Sequence, residues 1–303
     1  MARLCPVILG ATATGKTSLA VTIAKLVAGE IVSADSRQVY RSLDLGTGKD
    51  LGEYGAVRHH LIDVVSLPDE YNVFTYQRDA YAAIDSILAR GAVPVIVGGT
   101  GMYVDALVRG YRFSEAGRDA GLRAELDALS DEELARRLSA LLPHLHNSTD
   151  TCERDRLVRA IEIAEASRRE QEPSARRPGF DPLCVGVRFP RAVMRERIAR
   201  RLDERIRSGM IDEVSRVHES GISWERLERL GLEYRVTAEY LQGKIASLTE
   251  YRDILFREIC RFAKRQETWF RGMERKGVPI EWFEGDDPRA AATYVANRVG
   301  KRA

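Results

Sequence analysis

Cysteine is sparse in this chain, and what there is stands apart. Cys5, Cys152, Cys184 and Cys260 are the four in 303 residues, and no two share C-x-x-C spacing. That scatter offers no zinc cluster, and reduced, structural thiols are expected. Histidine is as thin: His59/His60 and His144/His146 have no cysteine or acidic ligand at fitting spacing. No stretch reaches the roughly 18 consecutive apolar residues of a membrane-spanning helix, so no membrane segment is expected. The opening MARLCPVILG holds one arginine and a short strand-like run, without the apolar region and cleavage site of a secretory signal. A cytoplasmic protein follows from that reading. Lysine is scarce too, with seven against 40 arginines, and guanidinium groups suit phosphate.

What remains is the composition of a folded chain, 44% hydrophobic and 30% charged, which excludes disorder. The length allows one large domain or two modest ones. A net charge of +2 speaks against a uniformly basic nucleic-acid binder, but it hides an asymmetry. Residues 1–110 carry 10 basic and 11 acidic side chains, 111–185 carry 12 and 15, and 186–303 carry 25 and 19.

The first part alternates strand and helix signals. Val7–Leu9, Glu30–Ala34, His60–Val65 and Val93–Val97 read as strands; Ser18–Val27 and Phe74–Arg90 read as helices. Such alternation predicts βαβ units and a parallel sheet covered on both faces, an α/β fold, and GATATGKT at residues 10–17 makes it one of the P-loop NTPase kind. Asp119–Leu129, Asp131–Leu142 and Arg154–Ser167 read as helices with no strand between them, and Glu172–Pro182 as a linker. A strand at Leu183–Phe189 and helix from Arg191 to about Arg275 complete the pass. The predicted organisation is a core of 1–112 with 186–303, interrupted by a small all-helical insertion at 113–185.

GATATGKT at 10–17 fits G-x-x-x-x-G-K-[ST] between a strand and a helix. The glycines let backbone N–H groups converge on a phosphate at the helix N-terminus, Lys16 adds a charge, and Thr17 can ligate Mg²⁺. This is an ATP- and nucleotide-binding signature that does not say which phosphate compound binds. Asp35 follows the second strand, at the carboxyl edge where α/β proteins bind ligands. It can serve as a base, a metal partner or simply the cap of a turn. Thr47-Gly48-Lys49 offers a second cation, though a solvated loop lysine is the default for Lys49. Arg197, Arg201 and Arg205 fall on one helix face, and residues 188–207 hold eight arginines against three acids.

Beyond the loop come SADSRQVYRSLDLGTGK at 33–49, HHLIDV at 59–64, YNVFTYQRDA at 71–80, VGGTGMYVDAL at 97–107, RDRLVRAIEI at 154–163 and AKRQETWFR at 263–271. In that order these resemble the tRNA dimethylallyltransferase (tRNA isopentenyltransferase) family across nearly the whole chain. The resemblance implies a prenyltransferase. It would move a dimethylallyl group from dimethylallyl diphosphate to the exocyclic amine of an adenosine beside the tRNA anticodon. It also implies Mg²⁺ as cofactor, tRNA as partner, no obligate protein partner and a monomer. By the resemblance Asp35 takes the amine proton, and Arg201 and Thr12 join it as catalytic residues. Gly10, Ala11, Thr12, Ala13, Thr14, Gly15, Lys16, Thr17 and Ser18 hold the diphosphate, with Thr17 on the metal. Asp35, Ser36, Arg37 and Gln38 meet the target nucleotide, which must leave its stack to react. Thr100, Arg123 and the run Asp155, Arg156, Leu157, Val158 and Arg159 match tRNA-contacting positions. Pairing of Arg156 or Arg159 with Glu162 or Asp155 is the alternative there. Lys264 and Arg265 are further tRNA candidates, while Trp269 and Phe262 are expected in the core.

The chain departs from the family's usual pattern at Ala11, at Thr47-Gly48-Lys49-Asp50, and at Gly231-Leu232-Glu233-Tyr234-Arg235, where G-Y-[KR] is general. These departures point to a divergent branch. The alternative function is prenylation of a free adenine nucleotide by an adenylate isopentenyltransferase. It shares the loop and the chemistry but lacks much of the helical stretch at 115–182. A P-loop kinase and a catalytically inactive RNA-binding protein are weaker readings; intact Asp35, Lys16, Thr17 and Arg201 argue against the last.

Overall fold

The computed structural model describes residues 3–111, 120–141, 154–169 and 177–300. The chain begins with β1 (Arg3–Gly10), α1 (Lys16–Leu26), β2 (Gly29–Ser33) and a short 3-10 turn at Leu51–Glu53. Next come β3 (His59–His60), α2 (Val73–Ala89), β4 (Val93–Gly98) and α3 (Gly101–Arg109). Three helices follow: α4 (Ala120–Asp127), α5 (Asp131–Leu141) and α6 (Arg154–Arg169). The chain returns through β5 (Phe180–Arg188), α7 (Arg191–Arg207), α8 (Met210–Glu219), α9 (Trp224–Arg229), α10 (Leu232–Leu241) and α11 (Leu248–Arg275). It closes with β6 (Ile280–Glu284) and α12 (Pro288–Gly300).

All six strands pair in parallel, in the order β3-β2-β4-β1-β5-β6. β1 is central, with residues 5–9 buried to the last atom or nearly so, because an interior parallel strand is covered on both faces. One face packs Ile8, Ile31, Val95 and Val185 under Leu19 and Ile23 of α1 and Ala291 and Val295 of α12. On the other lie α2, α3 and α11. Helices α7, α8, α10 and α11 build a second core around Met194, Leu202, Met210, Tyr251 and Leu255.

The chain divides into two compact units, Met1–Gly110 with Arg177–Ala303, and Tyr111–Arg176. The ends of the first unit meet. Arg177 Nη2 donates to the Val108 carbonyl at 3.0 Å, and its stem lies 3.0 Å from where a Cβ on Gly110 would sit. The second unit packs α4, α5 and α6 around Leu126, Leu134, Leu138, Leu157, Val158 and Ile161.

Several expected boundaries move. β5 starts at Phe180, inside the stretch read as linker, since pairing to β1 runs from Arg3 opposite Phe180. β3 is two residues rather than six. The single helical stretch from Arg191 is five helices, broken at Gly209, at Gly221, at Gly231 and at Gly243, all of positive φ. β6 and α12 lie beyond where the sequence reading stops. The helix start at Asp119, the helix end at Leu142, Cys152 and His144/His146 lie outside the described residues. Among the described residues no helix is long and apolar enough to cross a membrane, and no group of three potential metal ligands forms. Cys5, Cys184 and Cys260 are free thiols, and burial pushes the Cys5 and Cys184 thiols up, Cys184 to about 12.

Candidate active site

The carboxyl ends of β1, β2 and β4 open onto one cavity of about 480 Å³, lined also by α7, α10 and α11. Sheet order explains the place: β1 has β4 on one side and β5 on the other, so its neighbouring connections diverge and leave a crevice.

The loop after β1 turns through Ala13 and Gly15, at φ 63° and 80°, to start α1 at Lys16. A left-handed residue at the helix cap aims the first amides of α1 outward, as an anion site needs. Thr14 Oγ1 and Lys16 Nζ both donate to the Ala11 carbonyl, at 2.9 and 3.1 Å, which ties the loop into a ring. Thr12, Lys16 and Thr17 line the cavity; Ser18 is exposed and faces a different hollow, behind the loop. Ser18 shares that hollow with Thr14 and Gly15 rather than facing the cavity of Thr12, Lys16 and Thr17. Burial pushes the Lys16 ammonium down to about 8, Arg201 and Arg205 add to that, and Asp35 opposes them. A cation weakened by its surroundings is one an anion would restore.

Asp35 sits just past β2. Its Oδ1 accepts from the N–H groups of Arg37 at 2.9 Å and Gln38 at 3.4 Å, and the other oxygen accepts no hydrogen bond among the described residues. It is at once the cap of a turn and a cavity-facing carboxylate. Thr100 Oγ1 accepts from the Ser36 N–H at 3.0 Å, so the GGTG turn and the Asp35 loop are stitched together. Gln38 is committed to the Gly48 carbonyl at 3.1 Å and to Ser33 at 3.3 Å, while Arg37 and Ser36 line the cavity.

The arginine stripe of α7 is resolved into three separate arrangements. Arg197 Nε donates to the Ala13 carbonyl at 2.7 Å and its guanidinium lies 4.5 Å over the Phe189 ring. Arg201 Nη2 pairs with Asp50 at 2.6 Å and reaches the Gly48 carbonyl at 3.4 Å. Arg205 enters the cavity with no hydrogen bond or ion pair among the described residues.

Lys49 is neither a phosphate partner nor solvated. It is 1% exposed and donates to the Tyr40 carbonyl and to the carboxylates of Asp44 and Asp63. Burial of an ammonium requires such partners, and the loop 40–50 wraps it.

Four further residues take places the sequence did not assign to them. Gln266 on α11 accepts from the Thr12 N–H and donates to the Gly99 carbonyl, both at 2.8 Å, bridging the phosphate loop and the GGTG turn. Glu213 on α8, 5% exposed, accepts from the N–H groups of Asp44 (2.9 Å), Leu45 (2.7 Å) and Gly46 (3.1 Å) and from the Tyr234 hydroxyl (2.7 Å). Trp269 and Phe262, expected in the core, line the cavity instead. Gln266 belongs to the buried stripe of Ile259, Ala263, Phe270 and Met273, and Phe262 and Trp269 lie one turn to either side of it. Trp269 covers Gly101, where a Cβ would lie 2.4 Å from the indole. Lys264 and Arg265 are exposed.

In the second unit, Arg123 holds the buried Glu162 with two hydrogen bonds, at 2.6 and 3.2 Å, and Arg159 adds a third at 3.0 Å. That is the pairing alternative raised from spacing. Asp155 is exposed, and the Arg156 side chain lies outside the described residues. Leu157 and Val158, 2% and 6% exposed, correct the expectation of a contacting run: their side chains fill the unit's core and are not available to a partner.

Residues 38–273 match the family described as IPP transferase, and residues 4–63 the one described as isopentenyl transferase. The tRNA dimethylallyltransferase 2 of Treponema denticola is 55% identical over 280 residues, 91% of this chain and 94% of its own. The tRNA dimethylallyltransferase 1 of Geotalea uraniireducens is 53% identical over 291 residues, 95% of each chain. Among solved structures, the full-length tRNA isopentenylpyrophosphate transferase of Bacillus halodurans aligns at a TM-score of 0.72 with 30% identity, over 99% of this chain and 98% of its own. A eukaryotic dimethylallyltransferase described as acting on tRNA has the same fold, with a TM-score of 0.76 at 22% identity over 93% of this chain and 74% of its own. On a matching family that spans most of its length and relatives more than half identical, this chain belongs to the IPP transferase family and is a prenyltransferase.

Proposed function

We propose that this chain transfers a dimethylallyl group from dimethylallyl diphosphate to the exocyclic amine of an adenosine beside the anticodon in tRNA, releasing diphosphate. One observation carries the reading: the Asp35 carboxylate, the Lys16–Thr17 end of the phosphate loop, and Arg201 and Arg205 of α7 line a single cavity. The aromatic and apolar side chains of Phe262, Trp269 and Met102 line it too, a surface suited to a short hydrocarbon.

The amine nitrogen bonds to the allylic carbon as that carbon's bond to diphosphate oxygen breaks. The free oxygen of Asp35 receives the amine proton, and the diphosphate leaves with the electron pair. Backbone amides from Ala13 to Thr17 cradle the diphosphate, while Thr12, whose own N–H is held by Gln266, lines the cavity beside it. Arg201 keeps Nε and Nη1 without a protein partner among the described residues, so it can hold the leaving group while Nη2 stays on Asp50. A Mg²⁺ ion suits the donor set, because a hard cation on a diphosphate needs only one or two protein oxygens and the Thr17 hydroxyl lines the cavity. Bound there, it supplies charge neutralisation that makes diphosphate a better leaving group. On this reading Ser36, Arg37, Gln38 and Thr100 meet the extruded adenosine, and Arg123, Asp155 and Arg159 give tRNA a polar face. The enzyme acts as a cytoplasmic monomer on this reading.

The test is mass analysis of nucleosides from tRNA incubated with dimethylallyl diphosphate, Mg²⁺ and the protein, with AMP as a competing acceptor. Prenylated adenosine in tRNA is expected; preferential prenylation of AMP favours the adenylate reading. Asp35→Asn should lower the single-turnover rate by about 10²–10⁴-fold, the contribution of a positioned base, while leaving pyrophosphate binding intact. Wild-type rates in that variant would remove Asp35 as the base.

A further inference from the structure

Of the three arginines on the α7 face, Arg197 is committed to the protein and Arg201 is committed through Nη2 alone. Arg197 holds the phosphate loop through the Ala13 carbonyl, and Arg201 holds Asp50. Arg205, one turn further, lines both the main cavity and an adjoining one of about 420 Å³, each shared with Lys16, Thr17 and Arg201. Its Nη2 presses so close to Gly48 that a Cβ there would lie 1.6 Å away. Gly48 has φ +63° besides, so the loop is shaped to admit this guanidinium.

The position is an expensive one. Burial, then the neighbouring Arg201 charge, push Arg205 down to about 10, with Glu233, Asp50 and Tyr234 opposing. It remains a cation at neutral pH. Yet no ion pair closes on it: Glu233 lines the same cavity, and burial raises its carboxyl, but the two form no salt bridge. A desolvated cation left without hydrogen-bonded partners costs stability, and an incoming anion removes that cost.

We propose that Arg205 is a second guanidinium gripping the diphosphate, with its planar fork of N–H donors directed at oxygens that gain charge as the carbon–oxygen bond breaks. The inference rests on the reading of the Lys16 loop as the diphosphate site and adds a residue to it. A guanidinium can give two parallel hydrogen bonds to phosphate oxygens, and donors fixed before the reaction stabilise the developing charge without reorganising. Glu233 lines the same cavity without occupying the donors of Arg205.

Calorimetric titration of the full chain with inorganic pyrophosphate and Mg²⁺ tests this, using wild type, Lys16→Ala, Arg205→Leu and Arg205→Lys, with thermal melting as the folding control. Wild type should bind, and Lys16→Ala should lose most of that binding. Arg205→Leu should weaken it by at least about tenfold, the smaller end of what a hydrogen bond to a charged group contributes. Arg205→Lys, which keeps the charge without the fork, should fall between. Arg205→Leu within about twofold of wild type, the usual scatter between independent sites, overturns the assignment while leaving the loop reading standing. Wild type that fails to bind, or Lys16→Ala that binds normally, overturns the loop reading and this inference with it. If Arg205→Leu does not fold, Arg205→Lys decides: affinity equal to wild type overturns the proposal, and a loss of a few fold supports it.

Discussion

Lys16 shows how a single side chain sets a measurable condition on the site. Its ordinary value of 10.5 falls to about 8, first by burial and then by Arg201. Diphosphate favours the charged ammonium, so the bound form must have the higher pKa. Binding therefore takes up a proton once the free protein has lost one. Affinity for pyrophosphate should be greatest below about pH 8 and fall as pH rises through that value. Calorimetry in buffers of different ionisation enthalpy should show proton uptake appearing above about pH 8, and Lys16→Arg should remove that step. Lys16 itself was legible from spacing, as was Asp35, because each belongs to a motif a few residues long. Gln266 was not, since its meaning depends on Thr12, 254 positions away. Lys49 was misread for a related reason: its partners Asp44 and Asp63 are brought to it only by the fold.

Helix α11 carries a division of labour that helical spacing alone did not assign. Its periodicity announces an amphipathic helix, but both faces contain aromatic residues, and nothing local says which face meets sheet and which meets cavity. The structure gives Phe270 to the core and Trp269 to the cavity. Gln266→Leu keeps the volume near the original and removes the bridge between the phosphate loop and the GGTG turn. It should reduce kcat/KM for the prenyl donor by roughly 10–100-fold, in line with about 1–3 kcal/mol for leaving the two buried backbone groups unpaired. Steady-state kinetics with varied donor checks it; near-normal values would mean the loop holds its shape alone. On α8, Glu213→Ala strips a buried acceptor from three loop amides and a tyrosine hydroxyl. We expect a loss of roughly 3 kcal/mol or more in denaturant unfolding. The five-helix run was read as one because gaps of two to six residues leave little trace in hydrophobic periodicity, whereas Gly209, Gly221, Gly231 and Gly243 were the signals available.

Taken together, the fold class was legible because parallel strands carry continuous apolar runs and the loop after β1 has its own signature. The short edge strands were less so: β3 has two residues and β6 only partial burial, which gives neither a run nor a clean alternation. The insertion's helical character was legible from its lack of strand signals. What it offers a partner was not, because Leu157 and Val158 sit in a charged-looking sequence yet form a core. The meeting of Arg177 with Val108 and Gly110 predicts a simple dissection. Replacing residues 111–176 by a short glycine-rich linker should leave the sheet unit folded, by circular dichroism and melting, and still able to bind pyrophosphate. Its affinity for tRNA should fall by at least about tenfold, as expected when a set of charge-assisted phosphate contacts is removed. Undiminished tRNA binding would assign recognition to the sheet unit alone.

Glu213 has one more consequence. The same carboxylate suspends the strip of backbone at 44–46 and the phenol of Tyr234, and both Gly46 and Tyr234 form walls of the cavity. Gly46 and Tyr234 touch, and hung from one peg they cannot part independently. That stretch of wall is fixed, so room for longer hydrocarbon chains is set by side-chain size at the apolar end of the chamber. Trimming Trp269 or Phe262, rather than loosening a loop, is the route to a different prenyl group.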